Sequence, residues 1–197
     1  MIVRVIFDAC LLFTALVLAT LGSSSVVCHA QTRDHLTPRE VEVVQEAQAL
    51  DHRIDVFIRA IDRRMLVLSG GPTAASEKQL KKEAETWGEL PAGTHAELVG
   101  DIAKILSEAI TNIDDVNARD PKNPLIPKAL RKLATAATRI LDQLKPMQAQ
   151  AKDEESMGFE LLSKHADEIV EAAAGLPPPA EKKPKGKNKT EKTKESN

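Results

Sequence analysis

The stretch Asn112 to Pro124, NIDDVNARDPKNP, crowds three aspartates, an arginine and a lysine together, and Asp114, Asp115 and Arg119 are its candidate polar cluster. Paired carboxylates can hold a cation or divide general acid and base roles between them. A calcium loop starting at Asp115 would need glycine at its sixth position and glutamate at its twelfth, where the chain has Asp120 and Ile126. Acid–base catalysis needs two carboxyl groups converging on one cavity, whereas adjacent helical residues point about 100° apart. The pattern instead predicts a helix corner. Asp114 and Asp115 lie more than about 90° from the apolar stripe, and Asp115 precedes Arg119 by four residues, an exposed pair worth about 0.2–0.5 kcal/mol.

Other chemistries fail on spacing. A di-iron bundle needs Glu-x-x-His, yet Thr32, Ala49, Ala92 and Leu162 stand three residues before His35, His52, His95 and His165. His165 and Glu168 are neighbours on one helix face, but two ligands do not complete a zinc site. Metalloprotease, nucleophile-elbow, phosphate-loop and dinucleotide motifs do not occur in the sequence. No catalytic residue, cofactor or metal is therefore expected, and the chain reads as a non-enzyme.

The elements that would position such residues begin after a leader. Residues 1–30 combine Arg4, an apolar run from Leu11 to Leu21 and small residues up to Ala30, the pattern of a cleavable secretory signal cut before Gln31. The run is shorter than the roughly 20 residues of a membrane-spanning helix, so no transmembrane span is expected after cleavage. Both cysteines, Cys10 and Cys28, fall in this segment, and the expected mature chain has no thiol for disulfide, nucleophile or metal. Val27 departs from the small residue that precedes a lipid-modified cysteine.

Residues 31–179 predict an all-α domain, an antiparallel up-and-down bundle of four long helices with a short accessory helix. Thr37, Pro38 and Glu40 form a helix start with a capping box. From there Val43, Ala47, Leu50, Ile54, Phe57, Ile61 and Leu68 recur at helical spacing, predicting one continuous helix about 45 Å long that stops at SGGP. Glu46, Arg53 and Arg64 fall on or beside its apolar stripe, either as a half-buried ionic network or with Arg64 facing an acidic ligand or partner. The end of this helix is apolar all round, which makes Arg64, Met65, Leu66, Val67 and Leu68 the candidate interaction surface.

Ser76 and Gln79 predict a short helix burying Leu80, Ala84 and Trp87. Thr94 and Glu97 open the next long helix, which Pro121 ends. The following one keeps four-three spacing from Ile126 to Ala151, with a kink or break expected at Pro146. A last helix is expected from about Ser156 to Ala174. The acidic third long segment and the basic fourth are expected to pair through complementary flanks.

Charge divides the chain unevenly. Residues 31–179 hold 19 basic and 25 acidic side chains, net −6, while residues 180–197 hold seven lysines and three glutamates, net +4. The latter segment has no apolar residue beyond Ala180 and reads as a disordered lysine-rich tail making weak contact with anionic polymers. Phe57, Trp87 and Phe159 are the aromatic residues left after leader removal, too few for base stacking, so no specific nucleic-acid partner is expected.

The runs LTPREVEVVQEAQALDHRIDVFIRAIDRRMLVL and NIDDVNARDPKNPLIPKALRKLATAATRIL resemble an uncharacterised group of secreted bacterial all-helical proteins, over most of residues 36–144. That resemblance implies a secreted or periplasmic address and carries no catalytic residue. The expected function is protein–protein contact in the cell envelope, with another envelope protein or with itself. The alternative is a bundle that binds a small ligand or metal between its helices.

Overall fold

A computed structural model describes residues 33–178, apart from the side chains of residues 74–76. The expected leader, both cysteines and the lysine-rich tail lie outside the described residues. The chain forms α1 (Pro38–Glu46), α2 (Leu50–Leu68), α3 (Ala74–Trp87), α4 (His95–Arg119), α5 (Leu125–Gln148) and α6 (Asp153–Ala174), with no strand among the described residues. The helices α2, α4, α5 and α6 pack against one another, and α1 packs on α2 and α3.

The predicted long first helix is two helices. At Ala47 and Ala49 the backbone leaves helical geometry, with ψ of 89° and 135°. Neither glycine nor proline forces the break; side chains cover carbonyls that it frees. Arg53 Nε donates to the Ala47 carbonyl at 2.9 Å and Gln48 Nε2 to that of Gln45 at 2.9 Å. The break lets the segment fold back, so that Leu36, Val41 and Val44 pack on the core and Glu40 meets two buried arginines. In one straight helix Glu40 and Arg64 would stand about 36 Å apart, whereas the fold brings them into contact inside the protein.

Capping explains the other starts. Thr94 Oγ1 accepts from the Glu97 amide at 3.3 Å while Glu97 Oε2 accepts from the Thr94 amide at 2.6 Å. Between α4 and α5 the Asn123 side chain accepts from the Leu125 amide at 3.0 Å, and Pro127 falls in the first turn of α5, where no intrahelical donor is lost. Pro146 does not break α5 where it stands; the helix continues to Gln148, two residues later, and Leu144 is its last buried position. The helix α3 begins at Ala74, before Ser76, and leaves Ala84 exposed with Leu80 and Trp87 half-buried. Glu155, which accepts from the Lys152 amide at 3.3 Å, starts α6 three residues earlier than the apolar pattern suggests.

Three ion pairs give the register of α2 on α5: Asp51 with Lys128, Asp55 with Lys132 at 2.5 Å and Asp62 with Arg139 at 2.6 Å. Each joins residues 77 apart, so these two helices run in the same direction. Arg53 meets Asn112 at 3.0 Å and Arg64 lies 3.7 Å from Asp101, so α2 and α4 run in opposite directions. Both α2 and α6 pack on α4 and α5, which places α4 and α5 across a diagonal. Among the described residues the bases Lys128, Lys132 and Arg139 of α5 reach the aspartates of α2 rather than the expected acidic flank of α4, because packing of the apolar stripes decides which flanks meet.

The core is built from Ile54, Phe57, Ile61, Ile102, Ile105, Leu106, Leu133, Ile140, Leu162 and Ile169, all essentially inaccessible. A small residue allows a close approach of α6 to α4: a Cβ on Gly158 would lie 3.3 Å from Val99 Cγ1.

Candidate functional site

The most unusual grouping is a buried ionic cluster where α1, α2, α4 and the end of α3 meet. Glu40, Arg63, Arg64 and Asp101 are between 0% and 4% exposed. Glu40 was readable as a capping residue, and its Oε2 does accept from the Thr37 amide at 2.9 Å. The same oxygen accepts from Arg64 Nη2 at 2.8 Å, while Oε1 accepts from Arg63 Nε and Arg64 Nη1, each at 3.0 Å. A carboxylate offers about four acceptor positions, and Glu40 has all of them filled.

Arg64 also donates to the Ala60 carbonyl at 2.7 Å and the His35 carbonyl at 2.5 Å. Its Nε stands 3.7 Å from Asp101, an electrostatic distance longer than a hydrogen bond. Arg63 turns the other way and gathers carbonyls at and just past the end of α3, at Trp87 (3.1 Å), Gly88 (3.3 Å) and Glu89, with its guanidinium 5.8 Å from the Trp87 ring centre. Arg39 of α1 joins it by donating to the carbonyls of Thr86 at 3.0 Å and Glu85 at 3.2 Å. A helix end leaves such carbonyls without intrahelical donors and carries partial negative charge, so two guanidinium groups suit it. Gly88, at φ 67°, makes the turn there beneath the Arg39 Cβ, a backbone region that favours glycine.

Burial alone would raise the Glu40 pKa, but the Arg64 hydrogen bond and charge, the Thr37 amide and the Arg63 charge outweigh it and hold the carboxyl below its ordinary value. Burial pulls Arg63 below the usual guanidinium value despite Glu40. Beside the cluster, His35 Nε2 and Glu108 Oε2 are 2.7 Å apart and tie the segment before α1 to α4.

Of the predicted interaction residues, Arg64 and Met65 are buried, and Leu66, Val67 and Leu68 are half-buried, with Leu68 packed on the core. Arg64 does face an acidic group, supplied by the chain's own Glu40. Glu46 is exposed and takes no part, and Arg53 closes the α1–α2 break. Asp114, Asp115 and Arg119 are all exposed; Arg119 Nε donates to the Asp115 backbone carbonyl at 2.9 Å rather than to its carboxylate. His165 Nδ1 lies 3.4 Å from Glu168, and among the described residues no three His, Cys, Asp or Glu side chains gather as a metal site.

Sequence reasoning missed Arg63, and missed Glu40 as anything beyond a cap. The adjacent arginines on a helix already rich in apolar positions were the available signal, since two such charges need an acid close by. The most exposed large apolar side chains lie elsewhere, on α6: Met157 is 78% exposed and Leu161 39%. They share a face with Glu154, Glu160 and Lys164, and α6 as a whole carries seven acids against one lysine.

Among the described residues no helix is long and apolar enough to cross a membrane. Comparison with protein-family models, curated proteins and solved structures finds no match to this chain.

Proposed function

We propose that this chain is a non-enzymatic, secreted or periplasmic bundle whose long helices alternate up and down along the sequence, and that it acts by contact with another protein of the cell envelope. The saturation of Glu40 carries this reading: the most deeply buried acid has no lone pair free to take a proton from a substrate or to bind a metal, so the cluster serves to hold α1, α2 and α3 together. Contact falls to the outer face of α6, where Met157 and Leu161 stand among acids; a partner with an apolar pocket ringed by lysine or arginine complements it. The leader pattern of residues 1–30 supports the address.

The test is affinity capture from native envelope with the wild-type chain and with Met157→Asp, Leu161→Asp. One stoichiometric partner retained by the first and lost by the second supports the proposal. Identical capture by both, or no stoichiometric protein with either, counts against it.

One observation favours the second reading, a small-ligand bundle. Ile110, Ile113, Leu130, Ile169 and Ala172 line a cleft of about 90 Å³ with Asp114 and Glu168 at its edge, a shape for a small apolar cation. Calorimetric titration with tetramethylammonium would give saturable heat that Asp114→Asn removes; no heat would dismiss it.

A further inference from the structure

We infer that α1 is an exchangeable arm: the hinge at Ala47–Ala49 can straighten, joining α1 and α2 into one helix, and the released α1 then docks on the α2 and α3 of a second copy. The partner is therefore an identical chain, and the docking surface is the place α1 already occupies. This stands independently of the contact face on α6.

Three observations carry the inference. First, the hinge sequence is helix-compatible. Ala47, Gln48 and Ala49 are strong helix formers, no proline or glycine interrupts residues 39–68, and the apolar spacing Val43, Ala47, Leu50, Ile54 runs straight through the break. Second, the break is held open by side chains that can let go. The carbonyls of Gln45 and Ala47, which a continuous helix would give to the amides of Ala49 and Asp51, are taken by Gln48 and Arg53 instead.

Third, α1 docks through contacts that transfer unchanged. Leu36, Val41 and Val44 pack on the core, and Glu40 receives Arg63 and Arg64 from a helix that is not its own. A second copy offers the same two arginines and the same carbonyls of α3 to Arg39. Exchange of an identical element keeps every docking contact and changes the hinge alone. Because α1 lies back against α2, straightening both hinges sets two bundles end to end about a two-fold axis, with the long helices crossing antiparallel at residues 47–49.

The saturated carboxylate fixes the kinetics. Releasing Glu40 uncovers two buried guanidinium groups, so arms exchange through an opened state and a dimer, once formed, outlasts dilution.

The experiment refolds the full chain at high and at low protein concentration and reads mass by size exclusion with light scattering. The expected result is a dimer that grows with refolding concentration and persists after dilution. In a dimer assembled from isotope-labelled and unlabelled copies, filtered NOEs should join the Val41 and Val44 methyls of one copy to α2 of the other.

Two variants separate exchange from ordinary association. Ala49 already has φ −79° and ψ 135°, and its amide makes no hydrogen bond among the described residues, so Ala49→Pro fits the broken hinge and forbids the straight one. It should melt like wild type and remain monomeric. Ala49→Gly, at an exposed position whose side chain takes no part in holding the break, should lower the dimer association constant about thirtyfold, from the helix-propensity loss counted at both hinges. A chain that stays monomeric after concentrated refolding overturns the inference. So does a dimer without intermolecular α1–α2 NOEs, or one that Ala49→Pro leaves intact.

Discussion

Replacing Glu40 by alanine tests the central electrostatic argument. The substitution removes an acceptor of four hydrogen bonds and leaves Arg63 and Arg64, 2% and 1% exposed, facing Asp101 and backbone carbonyls alone. Deleting one partner of a buried ion pair costs about 3–5 kcal/mol, because the remaining charge stays out of water. With a urea dependence of about 2 kcal/mol per molar for a domain of this size, the unfolding midpoint should fall by roughly 2 M when followed by helical ellipticity. The control is Glu42→Ala on the same helix, which removes an exposed partner of Arg39 and should cost less than about 1 kcal/mol. Glu40→Leu combined with Arg64→Met should lie closer to wild type than Glu40→Ala, since Arg63 keeps its three carbonyl acceptors. If Glu40→Ala costs no more than Glu42→Ala, the cluster is solvated and does not fix α1.

Acid should act on the same group: a Glu40 pKa held below 4.5 gives stability that is fully present above pH 4.5 and lost as pH falls through the lowered value, and melting of Glu40→Gln should show a shallower acid fall. Asp51, lowered by its Lys128 hydrogen bond, and Glu83, lowered by its Arg59 hydrogen bond, add to the fall in the same direction. Asp62→Lys should destabilise by about 0.5–1 kcal/mol in chemical denaturation, and adding Arg139→Asp should restore much of the loss at low salt. Gly158→Leu should cost about 1–3 kcal/mol by overpacking against Val99, while Gly158→Ala stays near wild type, both read from unfolding midpoints. Trp87 is the sole tryptophan, so Arg63→Gln should shift its emission to the red as the end of α3 loosens; unchanged emission would show that Arg63 does not hold it.

The helical class and the starts of α1 and α4 were legible because capping boxes and prolines act within a few residues of themselves. The α1–α2 break was not, because residues 47–49 favour helix locally and Glu40 is drawn away by arginines 23 and 24 positions later. Pairing of the charged flanks failed for a related reason: the acids of α2 and α4 suit the bases of α5 equally well by charge, and only packing chooses between them. Arg64 was visible as an anomaly on an apolar stripe, while its partner was hidden in a role already explained.

The ladder between α2 and α5 has a combinatorial property. Its acids stand at Asp51, Asp55 and Asp62 and its bases at Lys128, Lys132 and Arg139, so both helices carry marks at intervals of 4 and 7. Those intervals and their total, 11, are all different, as on a ruler whose marks never repeat a distance. Slide one helix along the other by 4, 7 or 11 residues and a single rung of the ladder survives; any other shift keeps none. Evenly spaced charges would keep two rungs after a one-step slip and blur the alignment. Uneven spacing turns three separate ion pairs into a code with one good match, which reports misalignment far more sharply than their summed strength would suggest.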